Sequence, residues 1–109
     1  MEEIGSNPGA EARIETSSDA HGTPTVTVSG DLDMSNADAL KATVASVAAN
    51  HPQRLIIDFS GLRFMDSAGI AVLVDAANKV PNVHLRDPSP AVRRVVEITG
   101  LTAIIAIEP

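Results

Sequence analysis

The central part of the chain, residues 55–77, combines a short apolar run with a helical hydrophobic stripe. Leu55–Phe59 is apolar, of strand length and rich in β-forming residues, as is typical of a strand covered on both faces. Ser60–Leu62, with its Ser-Gly pair, then predicts the end of the strand. Four apolar residues follow at the i, i+3, i+4, i+7 spacing of one helix face: Ile70, Leu73, Val74 and Ala77. The pattern predicts a central strand, a loop, and a helix that begins at Asp66 or Ser67.

The N-terminal half shows strand periodicity first and helix periodicity afterwards. Residues 12–16 and 25–29 alternate apolar and polar positions, so they predict two antiparallel strands joined by a loop at 17–23, the second strand ending at Gly30. Ser35 and Asp38 have the spacing of a weak capping box, which predicts that a helix opens there. Its buried stripe is Leu40, Val44 and Val47, and residues 50–52 end it.

The C-terminal part predicts one more strand, a helix and a last short strand. Residues 83–86 form the strand, Ser89 and Pro90 open the helix as cap and first residue, and Gly100 closes it. Residues 104–107 predict a last short strand or a tucked coil. The complete order is β-β-α-β-α-β-α-β, which predicts an α/β fold with a mixed sheet of four to five strands packed against three to four helices, and right-handed crossovers between parallel strands.

Composition limits the size, location and partners of the protein. A chain of 109 residues makes one domain, here residues 11–109, and residues 1–10 have the polar, glycine-containing composition of a flexible tail. It has no cysteine and no apolar run of membrane-spanning length, so we expect no membrane association and a cytoplasmic location. The net charge of −6 without a basic stripe disfavours direct nucleic-acid binding and favours a protein partner.

Ser67 is the candidate functional residue because it stands on a strand-loop-helix support. The positive end of the following helix lies beside its hydroxyl, and unpaired amides at such a position suit a phosphate. Capping alone also accounts for Asp66 and Ser67, since both are good N-cap residues. The longer segment from Leu55 to Ile70, LIIDFSGLRFMDSAGI, resembles the phosphorylation segment of the STAS domain family, the bacterial anti-sigma factor antagonists.

Two other segments carry the same resemblance in the same order. Gly30–Asp33, followed by Ala37 and Leu40, is similar to the family's loop that meets a partner kinase. Residues 89–101 are similar to the corresponding helix. The resemblance extends over about residues 14–107.

The resemblance implies a regulatory binding protein and not an enzyme. An anti-sigma factor that is also a serine kinase would bind the unphosphorylated protein, release a sigma factor to activate transcription, and phosphorylate Ser67, and a serine phosphatase would reverse the modification. The implied partner-binding residues are Asp31, Asp33, Ser35, Asp66, Ser67, Ala68 and Gly69. No catalytic residue, metal or cofactor of its own is implied. The alternative is a non-phosphorylated STAS module that serves as a scaffold in a larger signalling assembly.

Three other site types fit the sequence poorly. Asp58 resembles a receiver phospho-aspartate, but no lysine lies near the last strand, and hydrogen bonding to loop amides is the better interpretation. For a serine hydrolase, Met65 stands where the nucleophile elbow needs glycine, and none of His21, His51 and His84 pairs with Ser67 by sequence. No spacing of His, Asp and Glu indicates a metal site.

Overall fold

The computed structural model describes residues 12–109, which form one α/β fold. Its strands and helices follow one another in the predicted order. The predicted flexible tail at residues 1–10 lies outside the described residues. The strands are β1 (Ala12–Ser18), β2 (Pro24–Leu32), β3 (Arg54–Met65), β4 (Asn82–Arg86) and β5 (Ile105–Glu108). The helices are α1 (Ala37–Ala48), α2 (Ser67–Lys79) and α3 (Pro90–Ile98), and a 3₁₀ turn at Leu101–Ala103 precedes β5.

The five strands lie side by side in sequence order, β1-β2-β3-β4-β5. β1 pairs with β2 antiparallel, as predicted, whereas β2 to β5 are parallel and each pair is connected through a helix. Because parallel crossovers share one hand and the chain moves in one direction across the sheet, the helices fall on the same face. The predicted mixed sheet with helices packed against it is confirmed.

A single hydrophobic core lies between that face and the helices. Leu55, Ile57 and Phe59 of β3 are fully buried in it, and residues from all three helices complete it. The core is aliphatic apart from Phe59, as the composition predicts. Alternate strand residues form the opposite face, where polar side chains such as Asp58 and Arg86 stand opposite one another. Ile56 is nevertheless buried, so the apolar run of β3 is covered throughout.

The prediction that the strand ends after Phe59 is wrong, because β3 continues to Met65. Its pairing with β2 shifts register twice, between Thr27 and Ser29 and again between Gly30 and Asp31, and each shift accommodates an extra residue in β3. Gly30 has a positive φ of 91° at the second shift. It therefore permits a β-bulge and does not end β2, which continues to Leu32.

The helix predictions hold for α3 and need correction for α1 and α2. The Ser89 hydroxyl accepts a hydrogen bond from the Val92 amide at 3.2 Å, and Pro90 occupies the first turn of α3, as expected. α1 has Asn36 as its N-cap, so the predicted capping box at Ser35 is wrong. In α2 the predicted stripe is shifted, because Val74 is exposed. The buried residues are Gly69, Val72, Leu73 and Ala76.

Candidate functional site

The ends of β2 and β3 bring the two candidate loops together. These parallel neighbours finish at the same edge of the sheet, where Leu32 stands opposite Met65. The Asp66 amide then donates a hydrogen bond to the Leu32 carbonyl at 3.1 Å. The loop after β2 and the first turn of α2 are therefore directly linked, as expected for loops that leave the same end of adjacent strands.

Asp66 is the N-cap of α2, and Ser67 is the first helical residue. The Asp66 carboxylate accepts a hydrogen bond from the Ala68 amide at 2.8 Å, and its carbonyl accepts from the amides of Gly69 and Ile70 at 3.1 and 3.3 Å. The side chain of Ser67 is exposed and does not cap the helix. The expectation of unpaired amides for a phosphate is therefore wrong for Ala68, Gly69 and Ile70, because these three already donate to Asp66.

Gly69 allows α2 to approach the ends of β2 and β3 closely. A Cβ atom at this position would lie 2.4 Å from Met65 Cγ and 2.9 Å from both Met65 Sδ and Leu32 Cδ2. Gly69 itself is buried, and the close approach that it allows sets how near Ser67 and the start of α2 lie to the ends of these strands. Its direct contact with a partner stays a prediction.

The loop after β2 is built around Asp33. Its carboxylate accepts hydrogen bonds from the Ser35 amide at 2.9 Å and the Ser35 hydroxyl at 2.6 Å. These two bonds, the hydroxyl first, lower the pKa of Asp33 below its ordinary value. Asn36 braces the loop, since its side chain accepts from the Asp33 amide and donates to the Asp31 carbonyl. Ser35 thus orders the carboxylate that was predicted to face a partner.

A basic residue that the sequence reasoning did not select lies beside this loop. Arg63, the extra residue at the second bulge of β3, places Nε 3.3 Å from the Asp31 carboxylate. The Arg63 side chain is 65% exposed and that of Asp31 is 22% exposed, so water screens much of this pair. The candidate surface is therefore of mixed charge at Asp31, while Asp33 and Asp66 serve hydrogen bonds of their own loops. The bulge that exposes Arg63 is not visible in the sequence.

Two large apolar side chains close in sequence to these loops are exposed, and neither was selected from the sequence. Met34, next to Asp33, is 80% exposed, and Phe64, opposite Asp31 in the sheet, is 52% exposed. Met34 also borders a groove of about 410 Å³ between α1 and α2. The other residues that line the groove are Ala37, Asp38, Lys41, Ala68, Ala71 and Val72. Met34 could have been found from its position beside Asp33, whereas Phe64 depended on the length of β3.

The residues considered for other site types have different local partners. Asp58 accepts a hydrogen bond from the Ser60 amide at 2.9 Å, as expected, although it lies inside β3 and not at its end. The His84 ring is 3.2 Å from the Glu108 carboxylate on β5. Within residues 12–109, no group of three or more His, Cys, Asp or Glu side chains is placed to hold a metal ion. In the same range, no helix has the length and apolar character needed to cross a membrane.

Comparisons with known proteins agree with this fold. Anti-sigma-F factor antagonist RsfB of Mycobacterium tuberculosis is 31% identical over 65 residues, which are 60% of this chain and only 53% of RsfB. An anti-sigma factor antagonist from Mycobacterium paratuberculosis matches in structure with a TM-score of 0.83 and 30% identity, over 91% of this chain and 86% of that one. Unphosphorylated SpoIIAA matches with a TM-score of 0.75 at 22% identity, over 87% of each chain, which is a likeness of fold alone.

The family assignment rests on a match that spans most of the chain. The family model described as Mlab, STAS domain, covers residues 16–106, which include every strand and helix from β2 to α3. The segments that carried the resemblance in the sequence all lie within this range. The chain belongs to the STAS domain family.

Proposed function

We propose that this protein is an anti-sigma factor antagonist, controlled by phosphorylation of Ser67. The observation that carries the proposal is the exposed Ser67 side chain at the first position of α2, beside the Asp33 loop. Relatives that are named anti-sigma factor antagonists support the general role. In this scheme the unphosphorylated protein binds an anti-sigma factor serine kinase in the cytoplasm, and a sigma factor is released.

The kinase would end the interaction by phosphoryl transfer. The Ser67 hydroxyl oxygen forms a bond to the γ-phosphorus of ATP, the bond to the β-phosphate oxygen breaks, and ADP leaves while the hydroxyl proton passes to the medium. ATP and Mg²⁺ belong to the kinase, so this chain acts as substrate and binding partner. A serine phosphatase would hydrolyse the phosphoserine with water, which restores the hydroxyl and releases inorganic phosphate.

The proposed contact surface comprises both loops and the exposed apolar residues beside them. It includes the predicted residues Asp31, Asp33, Ser35, Asp66, Ser67 and Ala68, and the buried Gly69 supports it from beneath. We add Met34 and Phe64, because methionine and aromatic residues are enriched where protein partners meet. The acidic net charge of −6 favours a protein partner over direct contact with nucleic acid.

Electrostatic repulsion explains why phosphorylation would end binding. A phosphate adds about −1.5 to −2 charges at neutral pH. Asp66 is adjacent in sequence, and the Asp33 loop is linked to it through Leu32. A dianion covered by a partner without an opposite charge loses its hydration and gains little in return. Phosphorylated protein is therefore expected to dissociate from the kinase.

One observation favours the alternative function, a scaffold module that is never phosphorylated. The amides of Ala68, Gly69 and Ile70 already donate to Asp66, so the helix start offers a phosphate no ready set of donors among them. A scaffold would use the same exposed loops for constant binding. The two functions differ in whether any kinase transfers phosphate to the chain.

Intact-mass analysis with candidate kinases and ATP tests the proposal. Wild type should gain the mass of one phosphate, Ser67→Ala should gain none, and the phosphorylated protein should no longer pull down the kinase. Ser35, in the loop after β2, and Ser60, within β3, are exposed serines and serve as internal controls. Phosphate mapped to either of them, or full kinase binding after phosphorylation of Ser67, would contradict the proposal. Stable kinase binding with no mass gain would favour the scaffold.

A further inference from the structure

We propose that Asp66 is the positioning residue through which a phosphate on Ser67 disturbs this surface. The inference rests on the proposed function, since it takes Ser67 as the acceptor. The phosphate on Ser67 and the carboxylate of Asp66 compete for the backbone amides at the start of α2. Loss of the Asp66 cap then loosens both the start of the helix and its hydrogen bond to β2.

Asp66 connects two parts of the site, the start of α2 and the end of β2, through its backbone and side chain. Its carboxylate accepts from the Ala68 amide at 2.8 Å, and its carbonyl accepts from Gly69 and Ile70, so it organises the first turn of α2. Its amide donates to the Leu32 carbonyl at 3.1 Å, which fixes the turn to the end of β2. A change in the position of Asp66 therefore affects both elements.

A phosphate on Ser67 meets Asp66 as a competitor of the same charge. The phosphate is carried by the first helical residue, and the amides of that turn are the donors nearest to it in the chain. The Ala68 amide already has the Asp66 carboxylate as its acceptor. A dianionic phosphate is a strong acceptor of charge-assisted hydrogen bonds. Asp66 is only half-exposed, so water does not fully screen the repulsion between the two groups.

The disturbance reaches the second loop through a short covalent path. Leu32, which accepts from the Asp66 amide, is followed directly by Asp33. The Asp33 carboxylate holds the backbone and hydroxyl of Ser35. If Asp66 moves away from a phosphate, the anchoring of this loop at Leu32 weakens as well. Phosphorylation thus changes the geometry of the contact surface in addition to its charge.

The test installs phosphoserine at position 67 during translation, so that it needs no kinase. Asp66→Asn and Asp66→Ser both keep a good N-cap residue while removing the charge. Phosphoserine should lower the Tm of wild type by about 4–8 °C, the shift that the loss of one helix cap causes in a domain of this size. In each charge-free variant it should lower the Tm by less than half as much. Hydrogen exchange of the Ala68 and Asp66 amides should accelerate in phosphorylated wild type.

Phosphoserine at Ser17 is the matched control. Ser17 is exposed and stands opposite Thr25, at the end of β2 remote from Leu32, so it adds the same net charge far from the cap. It should leave Ala68 exchange unchanged. An equal loss of Tm in wild type and both variants, or an unchanged or higher Tm in phosphorylated wild type, would overturn the inference. Failure of every kinase to modify Ser67 would refute the proposed function alone, because this measurement does not use a kinase.

Discussion

Replacing Gly69 with alanine tests how closely α2 packs on the ends of β2 and β3. In an open helical position the change would stabilise the protein by about 1 kcal/mol, because alanine has the higher helix propensity. Here the added Cβ lies 2.4 Å from Met65 Cγ and 2.9 Å from Leu32 Cδ2. Carbon atoms in good contact are about 3.5–4.0 Å apart. The overlap therefore has to be relieved by movement of buried side chains.

The structure predicts a net destabilisation by Gly69→Ala. Overpacking of a well-filled core costs about 1–3 kcal/mol, and the propensity gain of about 1 kcal/mol offsets part of it. The net loss is then about 0–2 kcal/mol, and each kcal/mol lowers the Tm of a domain of this size by about 4–8 °C. Thermal unfolding followed by circular dichroism measures this directly. Ala71→Gly, an exposed position in the same helix, calibrates the propensity term.

A double-mutant cycle with Met65→Ala separates the overlap from other causes. Met65→Ala removes the Cγ and Sδ atoms, the nearest and one of the next nearest to the added Cβ. In that background Gly69→Ala should be neutral or stabilising by up to about 1 kcal/mol, since the propensity gain remains and most of the overlap is gone. A higher Tm for Gly69→Ala in wild type, or the same effect in both backgrounds, would refute the close approach.

Three further predictions concern the two loops. Asp33→Ala should weaken kinase binding in titration calorimetry and lower the Tm only slightly, because the two lost hydrogen bonds from Ser35 are solvent-exposed. A large loss of Tm with normal binding would make Asp33 purely structural. Ser35→Ala should raise the pKa of Asp33 in an NMR titration, because the hydrogen bonds that lower this pKa are partly lost. The stability that comes from the lowered pKa is present above the unfolded-state pKa and is lost as pH falls through the folded-state pKa, so in Ser35→Ala this loss should occur at higher pH. An unchanged pKa of Asp33 would contradict the prediction. Ser67→Asp should keep the wild-type circular dichroism spectrum and lose most kinase affinity, whereas Ser67→Ala should keep both the spectrum and the affinity. A misfolded Ser67→Asp would contradict a surface mechanism.

The order of elements and the core could be predicted because they depend on local periodicity. Alternation in β2, the apolar run of β3 and the cap of α3 at Ser89 are patterns of neighbouring residues, and each is confirmed in the structure. The position of Ser67 at the start of α2 follows from the same reasoning. Parallel strand ends meet at one edge of a sheet, so the proximity of the Asp33 loop was also predictable.

The errors arise where tertiary pairing determines local structure. Ser60 and Gly61 have the composition of a turn, yet pairing with β2 keeps them extended through a bulge. The length of β3 in turn decides that Arg63 and Phe64 reach the site. In α2 nearly every face is apolar, so periodicity could not determine its orientation, and packing against α1 and the sheet exposes Val74. The amides of Ala68, Gly69 and Ile70 are occupied because Asp66 caps the helix. Asp66 and Ser67 are both good N-cap residues, so the sequence alone did not decide between them.

The site separates residues that fix its geometry from residues that a partner can reach. Gly69 and Leu32 are buried where α2 meets the sheet, while Ser67 and Met34 are exposed above them. Substitutions in the first group should change stability and binding together, and those in the second should change binding alone. Asp66 belongs to both groups, because it is partly exposed and holds the start of α2 and the end of β2 through hydrogen bonds. A modification of its neighbour Ser67 can therefore act on charge and on geometry at once.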